Sequence, residues 1–221
     1  MIDALVAAGR RLADAGISPG TSGNLSVRDG DRILITGTGA DLGRLSSESI
    51  AVLDSTGTHL SGPRPSKEVA VHLAMYARNP GHTATVHVHS PHAVAVACLP
   101  PWSFASAVAP LTPYFVMRVG QAPLIPYRAP GDAELGALLT AHPHPFRAAL
   151  LANHGQVTSG PDLDDALVAA VELEQACRIS LLTDGRRPRL LDDDAIEELT
   201  SRSGTTWDSP AGDTSGTMFT R

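Results

Sequence analysis

The stretch Thr83-Ala-Thr-Val-His-Val-His89 alternates in the manner of a β-strand. Side chains two positions apart on a strand share a face, so the imidazoles of His87 and His89 converge while Val86 and Val88 turn toward a core. Two neutral imidazoles at that spacing suit zinc once a third ligand arrives from elsewhere. The best third candidate is His154, which ends the apolar strand expected at 148–152. Three histidines with an open fourth position make a catalytic site rather than a closed structural one. His72 and His92 stand as substitutes, whereas His59, His82, His142 and His144 read as loop residues.

Helices flank this strand. Pro91 starts one that ends near Cys98, and Pro65-Ser66 open an earlier one, with Ser66 as its N-cap and Val69, Leu73, Ala74 and Ala77 as its apolar face. Further upstream, residues 2–15 have helical spacing, Asp29-Gly30 marks a hairpin into a strand at 32–36, and residues 50–54 form a strand that returns through His59-Leu60. Downstream, residues 100–130 read as loops around a short strand at 121–125, and Asn153-His-Gly-Gln156 reads as a loop. Helices are expected at 133–141, 163–182 and 192–199. Helices alternating with hairpin-linked strands indicate an α/β fold on a mixed, largely antiparallel sheet. Residues 1–200 read as one domain, and 201–221, rich in Ser, Thr, Gly and Asp, as a flexible tail.

With 221 residues, 43% hydrophobic and 18% charged, the chain can bury a core without staples. A net charge of −6 supplies no basic stripe for nucleic acid, although local basic groups still suit a small anion. Cys98 and Cys177 belong to no CxxC pair and read as buried small hydrophobes. The amino terminus lacks a charged-then-apolar leader, and no apolar run reaches about 18 residues, so a soluble cytoplasmic protein is expected.

Two further stretches carry chemistry. Ser66-Lys67-Glu68 at a helix start offers N–H groups and a hydroxyl to an anion, and Glu68 beside a metal suits either ligation or acid/base duty. Taken alone, it reads better as a capped surface helix with a solvated charge pair. Gly20-Thr-Ser-Gly-Asn24 and Thr36-Gly-Thr-Gly39 combine close backbone approach with neutral donors for a phosphate, in the absence of a GxxxxGK[ST] nucleotide loop. Each is also a plain hairpin turn.

Five motifs in order, Gly20-Thr-Ser-Gly-Asn-Leu-Ser-Val-Arg28, Ile35-Thr-Gly-Thr-Gly39, Ser61-Gly-Pro-Arg-Pro-Ser-Lys-Glu68, His87-Val-His-Ser-Pro-His-Ala-Val-Ala95 and Leu150-Leu-Ala-Asn-His-Gly155, resemble the class II aldolase family over roughly residues 1–183. The resemblance implies a three-layer α/β/α fold, one zinc per subunit, and a four-fold symmetric homotetramer with active sites between subunits. By position it implies that His87, His89 and His154 are metal ligands, Glu68 the acid/base, and Asn24, Thr38, Gly39 and Ser66 phosphate-binding residues. It also implies that Tyr114 reaches into a neighbour's site. Leu111-Thr-Pro-Tyr-Phe-Val-Met-Arg-Val-Gly120, Pro123-Leu-Ile-Pro-Tyr127 and Pro130-Gly-Asp132 resemble the subgroup that decarboxylates 3-oxo-tetronate 4-phosphates. Lys67, where the aldolases usually carry a small residue, and the lack of a tyrosine after Tyr127 point the same way. The implied reaction forms dihydroxyacetone phosphate and carbon dioxide through a zinc-stabilised enediolate, with Lys67 holding a substrate carboxylate or phosphate and Arg118 and Arg128 as further anion candidates. The alternatives are aldol cleavage or epimerisation of a sugar phosphate, and a non-catalytic adducin-like head domain.

Overall fold

The computed structural model describes residues 1–18 and 20–208. The strands are β1 (Asn24–Asp29), β2 (Arg32–Thr36), β3 (Ile50–Asp54), β4 (His59–Ser61), β5 (Ala84–Val88), β6 (Leu124–Ile125), β7 (Ala148–Leu151) and β8 (Gly155–Gly160). The helices are α1 (Ile2–Asp14), α2 (Val69–Arg78), α3 (Pro91–Ala97), α4 (Pro113–Arg118), α5 (Ala133–Ala141), α6 (Leu163–Thr183) and α7 (Asp193–Ser203). All eight strands form one sheet in the order β4-β3-β2-β1-β5-β8-β7-β6. Every neighbouring pair is antiparallel except β6–β7, so the sheet is mixed and largely antiparallel.

Alternation along the strands sends two sets of side chains to two helical layers. Leu25, Val86 and Val88 meet Leu5 and Leu12 of α1 and Leu167 of α6, and beside them Leu150 packs with Val96 of α3 and Leu173 of α6. On the other face, Ala149, Leu151 and Val157 pack against Val71 and Met75 of α2 and Leu135 and Leu139 of α5. The result is three layers, α/β/α. Each fully buried Leu or Val contributes roughly 1.5–3 kcal/mol, so Val86 and Val88 anchor β5 to the α1/α6 layer.

The structure departs from the sequence expectations at five places. Asn153-His-Gly-Gln156 is a tight turn leading into an unanticipated strand, β8. A short helix, α4, lies within the expected loop region, started by Pro113 and capped by the Thr112 hydroxyl, which accepts from the Phe115 N–H at 3.2 Å. Ser66 caps no helix: its N–H donates to Thr36 O and Pro65 bridges Gly37, which keeps 65–66 extended until α2 begins at Val69. Cys177 is buried as expected, but Cys98 is exposed because α3 ends there. Finally, α7 runs on to Ser203, and Trp207 stacks edge-on against Phe115 at 5.7 Å, so 201–208 is part of the packed body. The rest of the expected tail, 209–221, lies outside the described residues.

Candidate active site

One strand end, one turn and one helix start assemble one cluster. β5 places His87 in the centre of the sheet, fully buried and opposite Asn24 of β1 and Val157 of β8. The His87 Nδ1–H donates to Gln156 O at 2.8 Å, which leaves Nε2 with a lone pair. His89, one residue past the strand end, brings its Nε2 to 3.0 Å from His87 Nε2. His154 comes from the β7–β8 turn, where Asn153 takes a left-handed φ of 57°. Gly155 makes that approach possible, since a Cβ there would stand 2.6 Å from Val88 O and 3.1 Å from the His89 ring. The three imidazole centroids are 4.6 to 4.9 Å apart.

Glu68 completes the group. It sits at the N-cap of α2, and its N–H donates to Ser66 Oγ at 3.2 Å, so its side chain turns inward and is buried. Its Oε2 accepts from Asn24 Nδ2 at 2.8 Å and lies 3.3 Å from His87 Nε2, while Oε1 is 3.1 Å from His154 Nε2. Burial by itself would raise the Glu68 carboxyl, but its contacts with His154, His87 and Asn24 outweigh that and hold it far below the usual carboxylate range. Burial, then the neighbouring His87 and His154, push His89 down to about 4, so it is neutral at pH 7.

This donor set fits a divalent metal. One ligand atom from each of Glu68, His87, His89 and His154 lies within 4.8 Å of the others. Glu68 Oε1 and both ring nitrogens of His154 are buried without an aligned hydrogen-bond partner, a costly arrangement for polar atoms unless something else coordinates them.

A pocket of about 260 Å³ opens over the cluster. Thr21-Ser-Gly-Asn24 and Gly37-Thr-Gly39 line one side, and Ser66, Lys67, Glu68, His89 and Pro130 the other. Gly23 is required there, because its φ is 95° and a Cβ would lie 2.8 Å from His87 O. The Lys67 chain packs on the turn at Gly131, where a Cβ would meet it at 3.2 Å, and the residue is exposed along the pocket rim.

The residues expected to act together, Asn24, Thr38, Gly39, Ser66, Lys67, Glu68, His87, His89 and His154, are thus gathered around one pocket. Tyr114 is not among them: its ring stands on α4, 63% exposed. Arg128 is engaged by Glu134 through two bonds of 2.7 Å. His92 bonds Glu174 and His72 bonds Asn24 and Ser26, so neither substitutes as a ligand. The sequence reading missed Gln156, Glu174, Ser26 and Tyr76, polar side chains on apolar elements whose patterns mark burial but not partners.

A sheet of this order, carrying three histidines and a carboxylate beneath a pocket, defines an enzyme scaffold of the aldolase type. The chain belongs to the Class II Aldolase and Adducin N-terminal domain family, which it matches over residues 3–181. It is 43% identical to the 3-oxo-tetronate 4-phosphate decarboxylase of Haemophilus influenzae, over 90% of this chain and 95% of that protein. It is 34% identical to the L-fuculose phosphate aldolase of the same organism, over 74% of each chain. The crystal structure of YgbL from Escherichia coli superposes with a TM-score of 0.84 at 36% identity, covering 89% of this chain and 96% of that one. Among the described residues, no helix is long and apolar enough to cross a membrane.

Proposed function

We propose that this protein decarboxylates a 3-oxo-tetronate 4-phosphate to dihydroxyacetone phosphate and carbon dioxide, as a zinc-dependent carbon–carbon lyase of the cytoplasm. The observation that carries the reading is Glu68 converging with three histidines at the floor of a pocket lined by neutral donors and one lysine. The relatives bearing the decarboxylase name support the reaction over aldol cleavage.

His87, His89 and His154 would hold one zinc per subunit. When bound, the zinc supplies Lewis-acid stabilisation for the negative charge that builds on the ketone oxygen. The substrate carboxylate lies β to that ketone. Breaking the bond between C1 and C2 releases carbon dioxide and leaves the electron pair on C2, conjugated with the carbonyl as an enediolate. One proton at C2 then gives dihydroxyacetone phosphate.

The proton comes from water, and Glu68 is the group placed to take it up and relay it to C2. It rests as an anion, and negative charge growing beside it in the reaction raises its proton affinity. Thr38, Gly39 and Ser66 hold the phosphate. Ser66 Oγ already accepts from the Glu68 N–H, which leaves its hydroxyl hydrogen to donate into the pocket. Lys67 supplies the positive charge for the carboxylate or the phosphate. Asn24 lines the same pocket and donates one N–H to Glu68, which leaves its second amide hydrogen for the phosphate. Membership of the class II aldolase family supports a homotetramer in which Tyr114, exposed on α4, reaches a neighbouring subunit's site.

The test is purified protein with 3-oxo-tetronate 4-phosphate, with and without a chelator, following both products. Equal, chelator-sensitive formation of carbon dioxide and dihydroxyacetone phosphate is expected. Cleavage of a sugar phosphate without carbon dioxide would replace this reading with the aldolase one.

A further inference from the structure

Behind Glu68 runs a buried chain of hydrogen bonds whose inner members, His72, Ser26 and Tyr76, have no part in the metal or phosphate assignments. Tyr76 Oη lies 2.6 Å from Ser26 Oγ, and Ser26 Oγ lies 2.7 Å from His72 Nδ1. His72 Nε2 bonds Asn24 Oδ1, and Asn24 Nδ2 donates to Glu68 Oε2 at 2.8 Å. Every member is buried: Ser26 at 0%, His72 at 1%, and Tyr76, Asn24 and Glu68 at 4% relative exposure.

The chemistry of the groups orders the protons. An ionised carboxylate only accepts, so the Asn24 amide must present its nitrogen to Glu68. Its oxygen therefore faces His72, whose Nε2 must carry a hydrogen. Burial and the nearby His87 push His72 down to about 3, so the ring is neutral and its Nδ1 accepts from Ser26. Ser26 in turn accepts from Tyr76. Donation runs one way, from Tyr76 through Ser26, His72 and Asn24 to Glu68. The backbone supports the same order. Asn24 and Ser26 alternate onto one face of β1, and His72 and Tyr76, one helical turn apart, present the matching groups from α2.

We infer that His72 is a positioning residue: with Ser26 and Tyr76 behind it, it fixes which way round the Asn24 amide stands and so secures an N–H, not a C=O, on Glu68 Oε2. Reversed, the amide would set two acceptors 2.8 Å apart and turn the carboxylate away. With Oε2 held, Oε1 is the oxygen left to face His154 and the pocket. The inference rests on Glu68 as the proton carrier of the proposed reaction.

Two variants separate positioning from packing. His72→Leu keeps an apolar filling but removes the donor, whereas His72→Gln can donate to Asn24 Oδ1 and accept from Ser26. The Asn24 side-chain amide protons, followed by NMR in selectively labelled protein, should exchange slowly in wild type and His72→Gln and much faster in His72→Leu. The wild-type His72 ring should show the neutral Nε2–H tautomer. In turnover, His72→Leu should lower kcat about 10- to 100-fold, with KM and zinc content near wild type, and His72→Gln should restore most of it. Equal amide exchange in wild type and His72→Leu would overturn the inference, as would an Nδ1–H tautomer at His72. So would a drop in kcat accounted for by lost zinc or lost folded protein. A wild-type protein inactive on 3-oxo-tetronate 4-phosphate would remove the decarboxylase reading, and the exchange and tautomer measurements would still decide the role of His72.

Discussion

His154 Nε2 and Glu68 Oε1 lie 3.1 Å apart, yet neither has an aligned hydrogen-bond partner. Two buried polar atoms that face each other without bonding are expensive to fold, which is the physical case for a cation between or beside them. Replacing His154 with alanine should therefore weaken zinc binding by more than the roughly 10- to 100-fold that follows loss of a partner behind a ligand. Competition against a coloured chelator measures this directly. Wild-type affinity in the variant would take His154 out of the ligand set.

Glu68→Gln keeps the shape of the side chain but removes the charge and the proton it would carry. Zinc content should remain close to wild type if the three histidines suffice as ligands. Turnover should fall by about 100- to 10,000-fold, the usual contribution of a positioned acid or base. A variant that loses zinc in parallel with activity would instead make the carboxylate a fourth ligand.

Most of this arrangement is legible in the chain, for reasons that differ by residue. His87 and His89 declare themselves because strand alternation converts spacing into direction. His154 is found by its place after an apolar strand, but the strand that follows it is hidden: Gly155-Gln-Val-Thr-Ser-Gly160 is short and polar, and it pairs only because β5 and β7 flank it. The start of α2 is misread because Ser66 has the chemistry of a cap while its backbone is already bound to Thr36. Asn24 is the clearest case of partners that only the fold reveals. Its motif suggests a phosphate donor, and only the fold shows that the same amide also bonds Glu68 and His72.

The buried His72 also shapes acid stability. Its proton affinity is depressed in the folded protein, to about 3 against an ordinary 6.5, first by burial and then by His87. The unfolded chain therefore binds the proton first, so the stability is present above pH 6.5 and is lost as the pH falls from there toward 3. Each unit of separation corresponds to roughly 1.4 kcal/mol, so the effect spans several kcal/mol. Urea unfolding of metal-free protein at stepped pH should show a shallower acid loss in His72→Gln than in wild type. Parallel curves would show that other groups set the acid limit.

Glu174 of α6 is bound to α3 at the point where the chain leaves His89. Its Oε1 accepts from the His92 N–H at 3.1 Å and lies 2.6 Å from His92 Nδ1, and its Oε2 accepts from the Ala93 N–H at 2.9 Å. A carboxylate at a helix start satisfies donors that have no partner within the helix, and α3 follows His89 after only Ser90. Ser90 is itself tied to Gln156 at 2.7 Å, and Gln156 O accepts from His87, so one buried network steadies both histidines. Charged hydrogen bonds contribute roughly 1.5–3 kcal/mol, so Glu174→Ala should lower unfolding stability by about that amount or more. If the anchor also holds His89 in place, zinc affinity should fall as well, by roughly 10- to 100-fold. Reduced stability with unchanged zinc affinity would confine Glu174 to capping α3, because the His89 position would then be set by β5 alone.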